Sequence, residues 1–302
     1  MEEYVEAAKF AAAALLAKGP LTKLIEVGQA AVGTWYKPRA MRNEADAKAY
    51  ELETMAYAQA KADIIKSNAE IEMADRARQR LYQQEMQRQR NIENILDETE
   101  NQLNETVSDT PVDEEWRTRF FNKAQDISSK DLQAVWAKIL AGEITQPGGV
   151  SLRTLDVLNN LSKEEAQIFE KVSDLATFHG AVYKISEFRN DLTKFGVTFG
   201  DIQLLRSAGL MEGSDNAAVR FDEVDFIKLE EFYVVDLHYG NHRLLVGKKD
   251  DHPFELLNFN LNQSGKELLR VISHKSNEIY LKAFSDSLAT QGFSTRIEIL
   301  NP

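Results

Sequence analysis

The chain contains no cysteine. That excludes disulfide bonds, thiolate nucleophiles and cysteine-ligated zinc together, and it predicts a cytoplasmic setting. Long hydrophobic runs are missing too. The most apolar stretches, 10–17 and 24–36, fall short of the roughly 20 residues that a spanning helix requires, and the second is interrupted by Glu26 and Gln29. Integral membrane insertion is therefore not expected. The opening residues, MEEYVEAAKF, are acidic where a secretory leader is basic. Positive charge is in deficit: 36 Lys and Arg face 48 Asp and Glu, for a formal net charge of −12. This argues against a coat that grips nucleic acid by charge alone. Finally, residues 39–104 contain neither proline nor glycine, the residues that most readily end a helix.

What fills that stretch is Ala, Glu, Gln, Lys and Arg. The composition predicts one continuous helix of about 60 residues, roughly 90 Å long at 1.5 Å rise per residue. Tyr50, Tyr57, Ile64 and Ile71 recur every seven residues, and Ala60, Ser67, Ala74 and Leu81 form a second row of smaller side chains. The pattern is a heptad seam, broken at Arg78 and Glu85 and resumed at Ile92 and Ile95. It predicts a coiled-coil-like stalk and a homo-oligomer held by Tyr50, Tyr57, Ile64 and Ile71. A long helix folded back on its own chain is the alternative. Arg76, Arg78, Arg80, Arg88 and Arg90 concentrate positive charge beyond the seam. They are the residues that would contact nucleic acid. Pairing with Glu72, Asp75, Glu85 or the acidic segment after Asp97 is the expectation favoured here. Residues two apart on a helix lie about 200° from one another, so this run does not form one basic face.

Before this stalk, the break Lys18-Gly19-Pro20 separates two short helices, a hairpin over residues 1–36. After it, VSDTP at 107–111 marks a boundary. Residues 116–162 read WRTRFFNKAQDISSKDLQAVWAKILAGEITQPGGVSLRTLDVLNNLS. An aromatic helix leads to a second helix carrying Leu132, Val135, Trp136, Ile139 and Leu140, with Ser128 as its expected cap and an end near Gly142. A Pro-Gly-Gly turn precedes a third helix opening at Ser151. Ser162 and Glu165 then have capping-box spacing. With its Trp-Ala-Lys-Ile-Leu-Ala-Gly-Glu, Pro-Gly and Ser-x-Arg-Thr-Leu order, this segment resembles a bacterial family known as domain of unknown function 2806. More distantly it is similar to the alpha domain of abortive-infection proteins. The resemblance implies no catalytic residue. It does imply anti-phage defence as a process. The long helix is similar in composition to the stalks of band-seven scaffold proteins.

Beyond residue 180, the runs 232–239 and 242–247 alternate around Gly240-Asn241, a two-residue hairpin turn. Pairing Tyr239 with His242 sets Leu237 opposite Leu244 and Val235 opposite Val246. A helix ending at Gly209, that hairpin, and the run Phe259-Asn-Leu-Asn-Gln-Ser-Gly-Lys-Glu-Leu-Leu-Arg270, read as a strand, a Ser-Gly turn and a helix, resemble a winged-helix-type module. A final strand near 295–300 is expected at a sheet edge. The predicted fold is therefore mainly α: a helical hairpin (1–36), a long coiled-coil-like helix (37–106), a helical core (107–180) and an α+β winged-helix-like domain (181–302).

Catalytic signatures are not evident. The turn QPGGVS lacks the Lys-Ser/Thr ending of a phosphate loop, and there is no Gly-x-Ser-x-Gly elbow. His238 and His242 stand four apart across a turn, where they would diverge rather than share a metal. No catalytic residue, metal or cofactor is predicted. The sequence thus points to a non-enzymatic homo-oligomer that recognises a protein partner. The alternatives are a nucleic-acid-binding regulator, an effector enzyme whose site converges from distant positions, and a membrane-associated scaffold.

Overall fold

The computed structural model describes residues 19–32, 69–103, 107–185, 192–272 and 275–300. The chain divides into two compact units, Met1–Gly149 and Val150–Pro302.

The N-terminal unit is helical. Its described elements are α1 (Pro20–Val32), α2 (Ala69–Gln102), α3 (Glu114–Ala124) and α4 (Lys130–Thr145). Helix α2 spans about 51 Å. Only its last third enters the core, where Ile92, Ile95, Leu96 and Thr99 are buried and the helix packs along α4. From α3 come Trp116, Phe120 and Phe121, and from α4 Trp136, Ile139 and Leu140, all buried. Phe120 is the hinge of the aromatic cluster: its ring stacks on Trp116 at 5.1 Å and meets Trp136 edge-on at 5.0 Å. A buried polar set closes the far end. Asn91 donates to the Gln125 carbonyl at 2.8 Å, and Gln133 donates to the Ile127 carbonyl at 2.8 Å. These bonds satisfy loop carbonyls that burial would otherwise leave unpaired. Helix α1 adds Leu24, Ile25 and Val27 to the core, while its Lys23 ammonium donates to the carbonyls of Ser108 and Thr110, both at 2.5 Å.

Two local expectations shift by a few residues. The residue preceding α4 is Ser129 rather than Ser128, and its side chain makes no capping bond. The helix also runs through Gly142 to Thr145, and the turn beyond is held by the buried Glu143, which accepts from the Gly148 N–H at 2.7 Å.

The C-terminal unit opens with α5 (Leu152–Asn160), capped by Ser151, and α6 (Lys163–Ser173), whose Ser162–Glu165 capping box is complete. Strand β1 (Ala181–Tyr183) follows, then α7 (Phe199–Ser207), β2 (Ala217–Phe221), β3 (Ile227–Leu229), β4 (Phe232–Tyr239), β5 (His242–Lys248), β6 (Phe254–Asn260), α8 (Gln263–Val271), α9 (Glu278–Thr290) and β7 (Ser294–Ile299). The strands form two antiparallel sheets, one ordered β1-β6-β2 and the other β3-β4-β5-β7. The hairpin register is the one that alternation predicts, with Leu237 opposite Leu244 and His238 opposite Arg243. An aromatic cluster joins the two sheets: Tyr183 of β1, Tyr239 of β4, and Tyr280 and Phe284 of α9 are all buried. The Tyr280 hydroxyl donates to the Tyr183 carbonyl at 2.7 Å, and the Tyr183 ring stacks on Phe284 at 5.2 Å.

The expectation of a mainly α chain with a winged-helix-like end is corrected by these sheets. The unit is substantially α+β. The 232–247 hairpin does not form the sheet that includes the strand after α7. It recruits β3 and β7 into a four-stranded sheet, and the strand following α7 pairs instead with β6. Sequence periodicity missed this because β1 and β3 have three residues each, too few to show alternation.

A motif of the family resemblance, Ser-x-Arg-Thr, is joined to one of the winged-helix reading, Gly-Lys-Glu, by a buried carboxylate. Glu267 of α8 is buried and accepts from the Ser151 backbone N–H at 2.7 Å and the Thr154 hydroxyl at 2.6 Å. Ser-x-Arg-Thr and Gly-Lys-Glu thus meet at the start of α5. Gly265 is required by a close approach: a Cβ there would lie 2.2 Å from the Leu210 carbonyl oxygen. Asn262 tightens the same junction, donating to the Gly209 carbonyl at 2.8 Å while capping α8.

Candidate interaction surface

The seam residues Tyr50, Tyr57 and Ile64 lie outside the described residues. Ile71 belongs to the described backbone of α2. The second row is visible at Ala74 and Leu81, both exposed. With Met73 and Ala77 they make an apolar strip on α2 at spacings of four and eight residues, which returns to one helix face. Met73 is 64% and Leu81 54% exposed. Met73 was not singled out by the heptad pattern, because it stands one position before the row.

The same stretch carries the arginines. Arg76 lies 3.5 Å from Glu72 and Arg78 lies 3.4 Å from Asp75. Arg88 makes 2.8 Å contacts with both Glu85 and Asp126. Its hydrogen bonds to Asp126 and Glu85 hold the guanidinium above its ordinary range. Arg80 and Arg90 are exposed elsewhere on the helix. Three of the five cations therefore already face carboxylates, as the sequence favoured. Exposed pairs of this kind add little stability, on the order of 0–1 kcal/mol, but they reduce the charge offered to phosphate. Replacing Arg78, Arg80 and Arg88 with Gln is expected to leave nucleic-acid affinity as weak as the parent's. Fluorescence anisotropy with single- and double-stranded oligonucleotides at two salt concentrations checks this. Micromolar, salt-sensitive binding that vanishes in the triple variant would contradict it.

The histidines of the hairpin diverge. His238 Nε2 lies 3.3 Å from Asp236, whereas His242 is buried, with Nδ1 2.9 Å from the Asn241 side chain and Nε2 3.8 Å from Glu278. Among the described residues there is no group of three His, Asp or Glu side chains placed to hold a metal ion, and no helix long and apolar enough to cross a membrane. Beside His242, α9 and β7 border an open groove of about 650 Å³ lined by Ile279, Lys282, Ile297 and Ile299 among others. Periodicity does not reveal this groove, because His242 of β5 and the residues of α9 and β7 that line it meet only in the fold.

A family model described as "Protein of unknown function (DUF2806)" matches residues 75–285, and the chain belongs to that family. No curated protein and no solved structure matches it significantly.

Proposed function

We propose that this protein acts by self-assembly and partner recognition rather than by catalysis, with α2 as the assembly element. One observation carries the proposal. The strip Met73, Ala74, Ala77 and Leu81 includes, at Ala74 and Leu81, the heptad row of Ala60 and Ser67 that runs beside Tyr50, Tyr57, Ile64 and Ile71 in the sequence, and Met73 and Leu81 are exposed. Apolar side chains repeating on one face of a long polar helix gain most when a second helix covers them. A second copy of the same helix supplies the same spacing. Changing Met73 and Leu81 together to Glu is expected to lower the mass of the assembly in light scattering. Both residues are exposed, so the far-ultraviolet circular dichroism of the variant should be retained. Unchanged mass in the variant would reject α2 as the assembly element.

The C-terminal unit would then present a surface to a protein partner. The process proposed is abortive-infection-type anti-phage defence, supported by the sequence resemblance of residues 116–162. Phage plating on cells with and without the chain tests it. Equal plating across a broad phage panel would remove that setting and leave the assembly reading standing.

A further inference from the structure

We infer that β7 is a second self-association site, at which two copies pair edge to edge into one continuous antiparallel sheet. Strand β7 ends its sheet, so one side of its backbone has no neighbouring strand among the described residues. The side that is free follows from the register. The Leu300 N–H donates to the Asn241 carbonyl, and His242 lies opposite Ile299. In an antiparallel ladder bonded pairs alternate. Residues 294, 296 and 298 therefore direct their backbone groups at β5, and residues 295, 297 and 299 direct theirs outward.

A two-fold partner must set outward groups against outward groups, so its axis passes through a single residue position. Near the middle of the strand there are three choices. Centring on Arg296 sets Arg296 opposite itself, and centring on Glu298 sets Glu298 opposite itself. Like charges directly opposed are unfavourable. Centring on Ile297 places Arg296 opposite Glu298 of the second copy, twice by symmetry. It also sets Ile297 against Ile297 and Thr295 against Ile299. The strand is thus self-complementary in one register. Within one chain Glu298 already accepts from Arg243 at 2.6 Å and lies 2.9 Å from Arg296, so this carboxylate is positioned before association.

The apolar surface agrees. Ile279 is 68%, Ile297 38% and Ile299 67% exposed, all three on the α9–β7 groove. A two-fold axis normal to the sheet keeps α9 of both copies on one face. It brings the second copy's Ile297 and Thr295 beside Ile297 and Ile299. Exposed edge strands are usually protected against such pairing. Here the alternating Arg296 and Glu298 select one register rather than blocking all of them.

The absence of cysteine makes the test direct. Ile297→Cys is introduced into the full chain in the Met73→Glu, Leu81→Glu background, so that assembly through α2 does not contribute. A hydrogen-bonded antiparallel pair holds its Cα atoms about 5.5 Å apart, within disulfide reach. On mild oxidation Ile297→Cys is expected to give a covalent dimer at least tenfold faster than Thr295→Cys or Ile299→Cys alone. A mixture of those last two should cross-link to each other. Ile297→Pro, whose lost N–H points away from β5, should abolish association while keeping the fold. Absence of cross-linking by Ile297→Cys, or equal rates at all three positions, would overturn the inference. Either result leaves the α2 proposal untouched, because that is read from mass without cysteine.

Discussion

Truncating Trp136 to Ala is expected to cost the N-terminal unit about 3–5 kcal/mol, the range for emptying a buried aromatic site. Trp136 is fully buried and its ring meets Phe120 edge-on at 5.0 Å. Its indole N–H has no hydrogen-bond partner among the described residues. The loss is therefore one of packing and apolar burial. Trp136→Phe should cost clearly less, since it keeps a ring against Phe120 and gives up only the unpaired N–H and part of the volume. Urea unfolding followed by circular dichroism measures both. The truncation also bears on function, because α4 carries the last third of α2. A Trp136→Ala protein as stable as the parent but deficient only in binding would place this residue on a working surface instead of in the core.

The second large effect is expected at Glu267, with a pH signature. Its carboxylate accepts from Ser151 N–H, the Thr154 hydroxyl and the Gln263 side-chain amide at 2.6–2.8 Å. Burial alone would push its pKa up, but the hydrogen bonds from Thr154, Ser151 and Gln263 outweigh burial and hold it below the ordinary carboxylate value. A depressed folded-state pKa means that the charge favours folding. The contribution is full above the unfolded pKa of about 4.3 and is lost as pH falls through the lower folded value. Glu267→Ala leaves the Ser151 N–H and Thr154 hydroxyl without this acceptor and should cost about 2–4 kcal/mol at neutral pH. Glu267→Gln should remove this residue's share of the acid sensitivity. Melting temperatures of parent and Gln variant should therefore converge as pH is lowered below about 4. Parallel curves across the acid range would show that Glu267 is not the group responsible.

Legibility in the sequence followed the range of the interaction. The capping box at Ser162 and Glu165, the cap at Ser151 and the register of the hairpin were readable because each is settled by residues a few positions apart. The ion pairs of Arg76, Arg78 and Arg88 with Glu72, Asp75 and Glu85 were readable for the same reason. The second partner of Arg88, Asp126, was not, since it is brought near only by packing of α2 against the rest of its unit. The mainly α reading failed where strands are short or paired across long separations. β7 completes a sheet with residues some fifty positions earlier, and β1 meets β6 across a still longer gap. The roles of Gly265 and Glu267 were hidden in the same way: the motif was visible, but Leu210, Ser151 and Thr154 become its neighbours only in the fold.

The most direct test of the central claim is the mass of the unmodified chain in solution. The monomer is 34.2 kDa. Multi-angle light scattering coupled to size exclusion, over a series of concentrations, should return a whole-number multiple of that mass. The multiple should fall when Met73 and Leu81 become Glu. A parent that stays at 34.2 kDa at every concentration would contradict self-assembly through α2 and through β7 alike.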